Sequence, residues 1–367
     1  MSGTFMTTPR IFNFSSGPAV LPEPVLEEAQ RDLMALPGVG MSVLEISHRS
    51  PHFDAILEAA EAELRALAGI PSTHRVLFVQ GGASLQFTMV PTNLLAADGT
   101  ADYLVTGVWS KKAVKEAEKI GRVHVAASTE PDGFVKVPSV RDLALTPGAA
   151  YVHMTSNNTI YGTQWHDVPE VGAAPLVSDM SSDILSRPVP VERHGVIYAG
   201  AQKNLGPAGV TLLIVREDLL ERSSASLPSM LSYRVLAQGA SRYNTPPVFG
   251  VYLLRLVLCW LRDAGGLTAL AARNERKAAR LYAEIDRTGF FRGVAEPESR
   301  SCMNVTFRVP NQDLDDLFVR EAAAAGLDGV KGHRSVGGLR ASIYNAMPQA
   351  GVDALAQFMR EFERTRG

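Results

Sequence analysis

The stretch "HRVLFVQGGASLQFTMVPTNLL", His74–Leu95, joins an apolar run to a helical one across a pair of glycines. Six residues ending in Val79 suit a buried strand, and the apolar spacing after Gly82 suits a helix. The same unit returns along the chain. "ADYLVTGVW" (101–109) leads into "SKKAVKEAEKIG" (110–121), and further strand-like runs follow at "RVHVAAS" (122–128), "AAYVHMTSNNT" (149–159) and "APLVSDMSS" (174–182). Strands alternating with helices at this spacing predict an α/β fold with a mostly parallel sheet covered on both faces. Ligands on such sheets bind beyond the carboxyl ends of the strands.

One segment departs from the alternation. In "GVIYAGAQKNLGPAGVTLLIV" (195–215) two apolar runs are separated only by the break around Gln202, Lys203 and "NLGPAG". That is too short for a crossover helix, so these two strands are expected to run antiparallel. Upstream, the pattern is helical at both ends of Leu26–Gly69, with "SVLEISHRSPHF" (42–53) reading as a loop between them. After about Trp260 the composition shifts to Ala, Arg, Glu and Leu at helical spacing. The strands "SRSCMNVTFRV" (299–309) and "GGLRASIYN" (337–345) and the helices "NQDLDDLFVREAAAAG" (311–326) and "AGVDALAQFMREFERT" (350–365) then suggest a small α+β unit.

Composition narrows the classes of function. A chain of 367 residues, 46% hydrophobic and 20% charged, with a net charge of −2, reads as a globular protein. The balanced charge and the lack of a basic run or zinc-finger pattern argue against a nucleic-acid partner. Cys259 and Cys302 form no disulfide framework and suit a reducing, cytosolic compartment. "VYLLRLVLCWL" (251–261) is broken by Arg255 and too short to span a bilayer, so no membrane association is expected.

Three features could carry chemistry. Gly81 and Gly82, between strand and helix, let backbone amides approach an anion such as phosphate, although a tight turn alone would use the same residues. Asp179 ends an apolar strand, where it can meet a ligand or cap the next segment. Lys203 also stands at a strand end; most lysines there are solvated, but one shielded from water has a lowered pKa and becomes a nucleophilic amine. Together they are the parts that pyridoxal 5'-phosphate requires: a helix start for its phosphate, a carboxylate for the pyridine N–H and a lysine for its aldehyde.

The motifs "IFNFSSGPAVLP" (11–22), "SHRS" (47–50), "GGASLQF" (81–87), "SDMSSDILSRP" (178–188), "GVIYAGAQKNLGPAGVTLLIVRED" (195–218), "NTPPVF" (244–249), "KGHRSVGGLRASIYNAMP" (331–348) and "FMREFER" (358–364) resemble the fold-type I, class V aminotransferases, in their phosphoserine branch. The resemblance runs from Ile11 to the C-terminus. It implies a large domain, residues 20–262, with a mostly parallel seven-stranded sheet, and a smaller C-terminal α+β domain, residues 263–367, with which residues 1–19 pack. It implies that Lys203 binds the cofactor aldehyde, Asp179 pairs with its ring nitrogen, Trp109 stacks on the ring, and Thr159 bonds near it. Trp109 read by itself would fit core packing equally.

By the same resemblance Ala83, Ser84 and Gln202 hold the cofactor phosphate, and Asn244 and Thr245 reach the phosphate of a neighbouring subunit, so the protein is expected to be a homodimer with shared sites. Arg340 would hold a substrate α-carboxylate. His48, Arg49, His333 and Arg334 would gather around the distal phosphate or carboxylate, the first two across the dimer. The implied reaction moves the amino group of glutamate to 3-phosphohydroxypyruvate in serine biosynthesis, with 3-hydroxy-2-oxo-4-phosphobutanoate, on the route to vitamin B6, as a further substrate. Some relatives carry arginine where Ser84 stands, which shifts the distal anion toward Arg49, His333 and Arg334. The two histidines of "HRSPH" lack a third metal ligand nearby, and no metal is expected. The alternatives are another class V enzyme such as a cysteine desulfurase, which needs a reactive thiol on a mobile loop, and a non-catalytic α/β binding protein.

Overall fold

The computed structural model describes residues 10–367. In chain order the first half contains β1 (Phe12–Asn13), α1 (Glu23–Asp32), α2 (Pro51–Ala68), β2 (His74–Val79), α3 (Gly82–Leu94), β3 (Thr100–Val105), α4 (Val108–Ala117), β4 (Arg122–Ser128), β5 (Val152–Thr155), β6 (Asn157–Asn158), β7 (Thr163–Gln164) and β8 (Leu176–Asp179). The second half contains β9 (Val196–Gly200), β10 (Thr211–Arg216), α5 (Glu217–Leu220), α6 (Tyr233–Gln238), α7 (Val248–Asp263), α8 (Gly266–Ile285), β11 (Arg292–Gly293), β12 (Asn304–Arg308), α9 (Gln312–Ala324), β13 (Leu327–Asp328), β14 (Leu339–Ser342) and α10 (Gln349–Arg366).

The principal sheet has seven strands in the order β2-β10-β9-β8-β5-β3-β4. From β9 to β4 every pairing is parallel, and β10 is antiparallel to both β9 and β2. The short break at Lys203 therefore makes a hairpin-like return, as its length demands. Both faces are covered. In β2, Val76 and Phe78 enter a core shared with α1, α2 and α7, while Leu77 and Val79 enter the core under α3, α4 and α6. This alternation follows from the two-residue period of a strand. No helix among the described residues is long and apolar enough to cross a membrane.

A three-stranded sheet, β11-β12-β14, and helices α8, α9 and α10 enclose a separate core that includes Val305, Phe307, Leu339 and Ala341. Phe14 joins this core, and β1 pairs in parallel with β13. Residues 1–9 of the expected N-terminal packing segment lie outside the described residues.

Three of the differences from the sequence reading bear on local chain chemistry. The loop expected over 42–53 ends at Ser50, because Ser50 accepts the Phe53 amide at 3.4 Å and Pro51 suits the first helical position. Trp109 lies in the first turn of α4 rather than at a strand end. β12 begins at Asn304 because the Ser301 hydroxyl takes the Met303 and Asn304 amides, both at 2.9 Å, and curls the chain before it.

Candidate active site

Asp179 is the last residue of β8, in register with Thr155 of β5 and Tyr198 of β9, and is 5% exposed. The Ser181 amide donates to its Oδ1 at 3.0 Å, and the Ser181 hydroxyl accepts the Gly200 amide at 3.1 Å. This clamps the carboxylate between adjacent strand ends. Burial pushes its pKa up, opposed by the positive charge of Lys203 and the Ser181 hydrogen bond.

Lys203 follows β9 on a tight turn in which the Leu205 and Gly206 amides donate to the Ala201 carbonyl at 3.1 and 2.8 Å. Burial pushes its pKa down, and Arg340 adds to the effect; Asp179 and Asp183 oppose it. Its Nζ lies 5.5 Å from the centroid of the Trp109 ring. Gly17 packs on the lysine stem: a Cβ there would stand 3.2 Å from Lys203 Cγ, at a φ of +142°. The N-terminal segment thus closes over the lysine only because that position has no side chain.

Trp109 is oriented by a hydrogen bond from its Nε1 to Thr159 Oγ1 at 3.0 Å. The turn that delivers it is organised by Ser110, whose hydroxyl accepts the Thr106 and Gly107 amides, both at 3.1 Å. Gly81 and Gly82 adopt φ of 91° and 65°, and a Cβ at Gly81 would collide with Leu85. The Gly82 amide is taken by Thr211 Oγ1 at 2.7 Å, and Ala83 and Ser84 follow in the first turn of the helix, where amides lack intrahelical acceptors. The Gln202 carbonyl accepts the Ala19 amide at 2.9 Å and so ties the N-terminal segment to the lysine turn.

Arg340, on β14, is 8% exposed. Its Nη1 donates to the Thr159 carbonyl at 3.0 Å and its Nη2 to Ser16 Oγ at 2.9 Å. Tyr344 OH fixes Ser16 in turn by donating to its carbonyl at 2.7 Å. Thr159 therefore orients both the indole and the guanidinium. His333 lies on the turn before β14, its Nδ1 2.7 Å from Ser335 Oγ; burial and the charges of Arg340, Arg334 and Lys112 push its pKa down. The charges of Arg340, Arg334 and Lys112 thus converge near His333.

Two expected groups are not joined to this centre within a single chain. His48 is half-buried and Arg49 exposed on the turn before α2, with no ion pair to any described residue. Asn244 and Thr245 lie beside the end of β2: Gln80 Nε2 donates to the Thr245 carbonyl and the Phe78 amide to Ser241 Oγ, both at 2.9 Å. Cys259 and Cys302 are both half-buried, and burial pushes each thiol pKa up, so neither is a ready nucleophile.

Sequence reasoning missed Lys112, Ser16, Ser181 and Asp183. Lys112 stands 4.5 Å from the Trp109 ring centroid, one helical turn on, so the i,i+3 spacing could have found it. Asp183 is buried and accepts from Ser156 Oγ and, at 3.2 Å, from Gln164 Nε2. The repeated acid of "SDMSSD" was its signal. Ser16 acts on a residue 324 positions away, which no local pattern reveals.

The class-V aminotransferase profile matches residues 11–355. A phosphoserine aminotransferase of Desulfosudis oleivorans is 56% identical over 98% of this chain and 99% of its own, and one of Herpetosiphon aurantiacus is 52% identical over 97% and 99%. Among solved structures, phosphoserine aminotransferase of Bacillus circulans subsp. alkalophilus superposes with a TM-score of 0.96 at 49% identity, covering 98% of this chain and 100% of that one. The pyridoxal-phosphate-bound enzyme of Trichomonas vaginalis gives 0.91 at 40% identity, covering 96% and 100%. Sequence and backbone together show that this chain belongs to the class-V aminotransferases, within their phosphoserine aminotransferase branch.

Proposed function

We propose that the protein transfers the amino group of L-glutamate to 3-phosphohydroxypyruvate, giving O-phospho-L-serine and 2-oxoglutarate, as a homodimer that uses pyridoxal 5'-phosphate. The observation that carries this reading is the meeting of buried Asp179, Lys203 and Arg340 around Trp109 and Thr159. These residues fit the cofactor. A clamped carboxylate suits a ring N–H, an amine of lowered pKa suits an aldehyde, and a glycine-opened helix start suits a phosphate. When bound, the cofactor supplies an aldehyde that captures amines and a protonated ring that draws electrons from the carbon losing its proton.

This chain's residues supply the rest. Asp179 keeps the ring nitrogen protonated; at an effective dielectric near 20 a charge pair about 4 Å apart is worth roughly 4 kcal/mol. Lys203 Nζ would hold the aldehyde and would serve as the base for the substrate α-proton, a role suited to an amine whose pKa burial has lowered. Trp109, oriented by Thr159, would cover the cofactor ring and exclude water from it. A guanidinium has five N–H groups; Ser16 and Thr159 take two of Arg340's and leave one on each Nη for the substrate α-carboxylate. His333, Arg334 and Lys112 draw the distal phosphate of one substrate and the distal carboxylate of the other. His48, Arg49, Asn244 and Thr245 complete the site from the second copy of the chain.

The test is a steady-state assay with glutamate as donor. Catalytic efficiency with 3-phosphohydroxypyruvate should exceed that with pyruvate, which lacks the phosphate, by at least about 100-fold, since charge-assisted bonds to the phosphate are worth roughly 3 kcal/mol together. Equal efficiency with the two acceptors would remove the phosphate from the assignment.

A further inference from the structure

Strand alternation and register place Arg292, Thr306, Arg308 and Arg340 on one face of the β11-β12-β14 sheet. Arg292 stands directly opposite Arg308 and Thr306 opposite Arg340, while Val305, Phe307, Leu339 and Ala341 fill the core behind. Like charges directly opposed across an antiparallel pair repel and destabilise the pairing unless something of opposite sign meets them. Nothing in the wall of the cavity in front of them does. That cavity, of about 390 Å³, lies between this face, the Gly332–Gly337 turn and the segment around Tyr161, and no Asp or Glu lines it.

Each arginine has bonding capacity to spare. Arg308 gives Nη2 to the Val336 carbonyl at 2.7 Å, and neither it nor Arg292 has an ion-pair partner among the described residues. Asp315, whose carboxyl feels the Arg308 charge, does not line the cavity. Arg340 is 8% exposed, and its Nε is buried with no hydrogen-bond partner. A buried guanidinium N–H without an acceptor is costly and marks a place for one. The opening depends on glycine: Gly337 and Gly338 adopt φ of 68° and 69°, and a Cβ on Gly338 would stand 3.2 Å from Arg308 Cγ.

We propose that this cavity is a second anion-binding pocket, distinct from the substrate and cofactor sites, which takes a small molecule bearing a doubly charged phosphate-type group between Arg292 and Arg308 and against the Nε edge of Arg340. Because Arg340 borders both this cavity and the site built around Thr159 and Ser16, occupancy of one is linked to that of the other.

Inorganic phosphate is the probe, titrated calorimetrically into cofactor-loaded protein with 2-oxoglutarate at saturation, a phosphate-free dicarboxylate that blocks the substrate site. Wild-type protein should bind one phosphate per chain under these conditions. The double variant R292Q/R308Q should bind it at least about tenfold more weakly, as loss of charge-assisted bonds requires, with a melting temperature no lower than that of the wild type, since the opposed charges are gone. R292Q alone, a change at an exposed strand residue, should also weaken binding, and it decides the matter if the double variant does not fold. No phosphate binding by the blocked wild type, or unchanged binding in the variants, overturns the proposal. The readout is binding rather than turnover, so failure of the pocket leaves the transamination reading intact; failure of 2-oxoglutarate to bind would strike that reading instead.

Discussion

A carboxylate 5% exposed at a strand end is unfavourable unless cations and donors meet it, and Asp179 meets the Ser181 amide and the ammonium of Lys203 beyond the neighbouring strand. Burial drives both groups toward neutrality, so the pair holds its charges weakly and is better suited to a ligand than to the fold. Asp179→Asn should therefore lower kcat by about 1,000-fold, the equivalent of roughly 4 kcal/mol, while leaving the melting temperature unchanged or higher. A variant that retained more than a tenth of its kcat would free Asp179 from its role at the ring nitrogen. Asp179 and Lys203 were legible in the sequence because each interrupts an apolar run where a sheet presents its ligand edge. Ser16 and Lys112 were not, since their value lies in what they touch after folding.

At the scale of elements, the return of β10 was legible from the shortness of the break at Lys203, and the layers from the two-residue and helical periods. The polar joints between elements were hidden. On α8 the fully buried Lys277 donates to the carbonyls of Ile343, Tyr344 and Met347 at 2.8, 2.6 and 3.2 Å. The turn it holds also sends the Asn345 amide to Asn204 Oδ1 at 2.9 Å, next to Lys203. In sequence Lys277 is one cation in a helix of mixed charge, and nothing marks it as buried. Lys277→Met would leave three carbonyls without their donor, and urea unfolding should show a loss of about 3 kcal/mol or more. An unchanged urea midpoint would mean that water or backbone adjustment satisfies those carbonyls.

For the whole molecule, the residues a single chain leaves apart are the ones that speak to assembly. His48 and Arg49 reach neither Lys203 nor Arg340, and the pattern "SHRS" was legible only as a motif, because no local property of a chain records what its second copy supplies. If these residues complete the site of the other subunit, mixed dimers of Lys203→Ala and Arg49→Ala chains, co-expressed with different tags, should regain about half the wild-type turnover, because one of their two sites is native throughout. Homodimers of either variant should be nearly inactive, and mixed dimers no better than these would place Arg49 in its own chain's site. The central claim, that Lys203, Asp179 and Arg340 form a centre which accepts an amino group from glutamate and passes it to a phosphorylated oxo acid, is tested most directly by the absorption spectrum of the cofactor-loaded protein. Glutamate alone should abolish the visible band of the bound cofactor, and 3-phosphohydroxypyruvate added after removal of glutamate should restore it in full. A band that glutamate leaves unchanged would contradict the account.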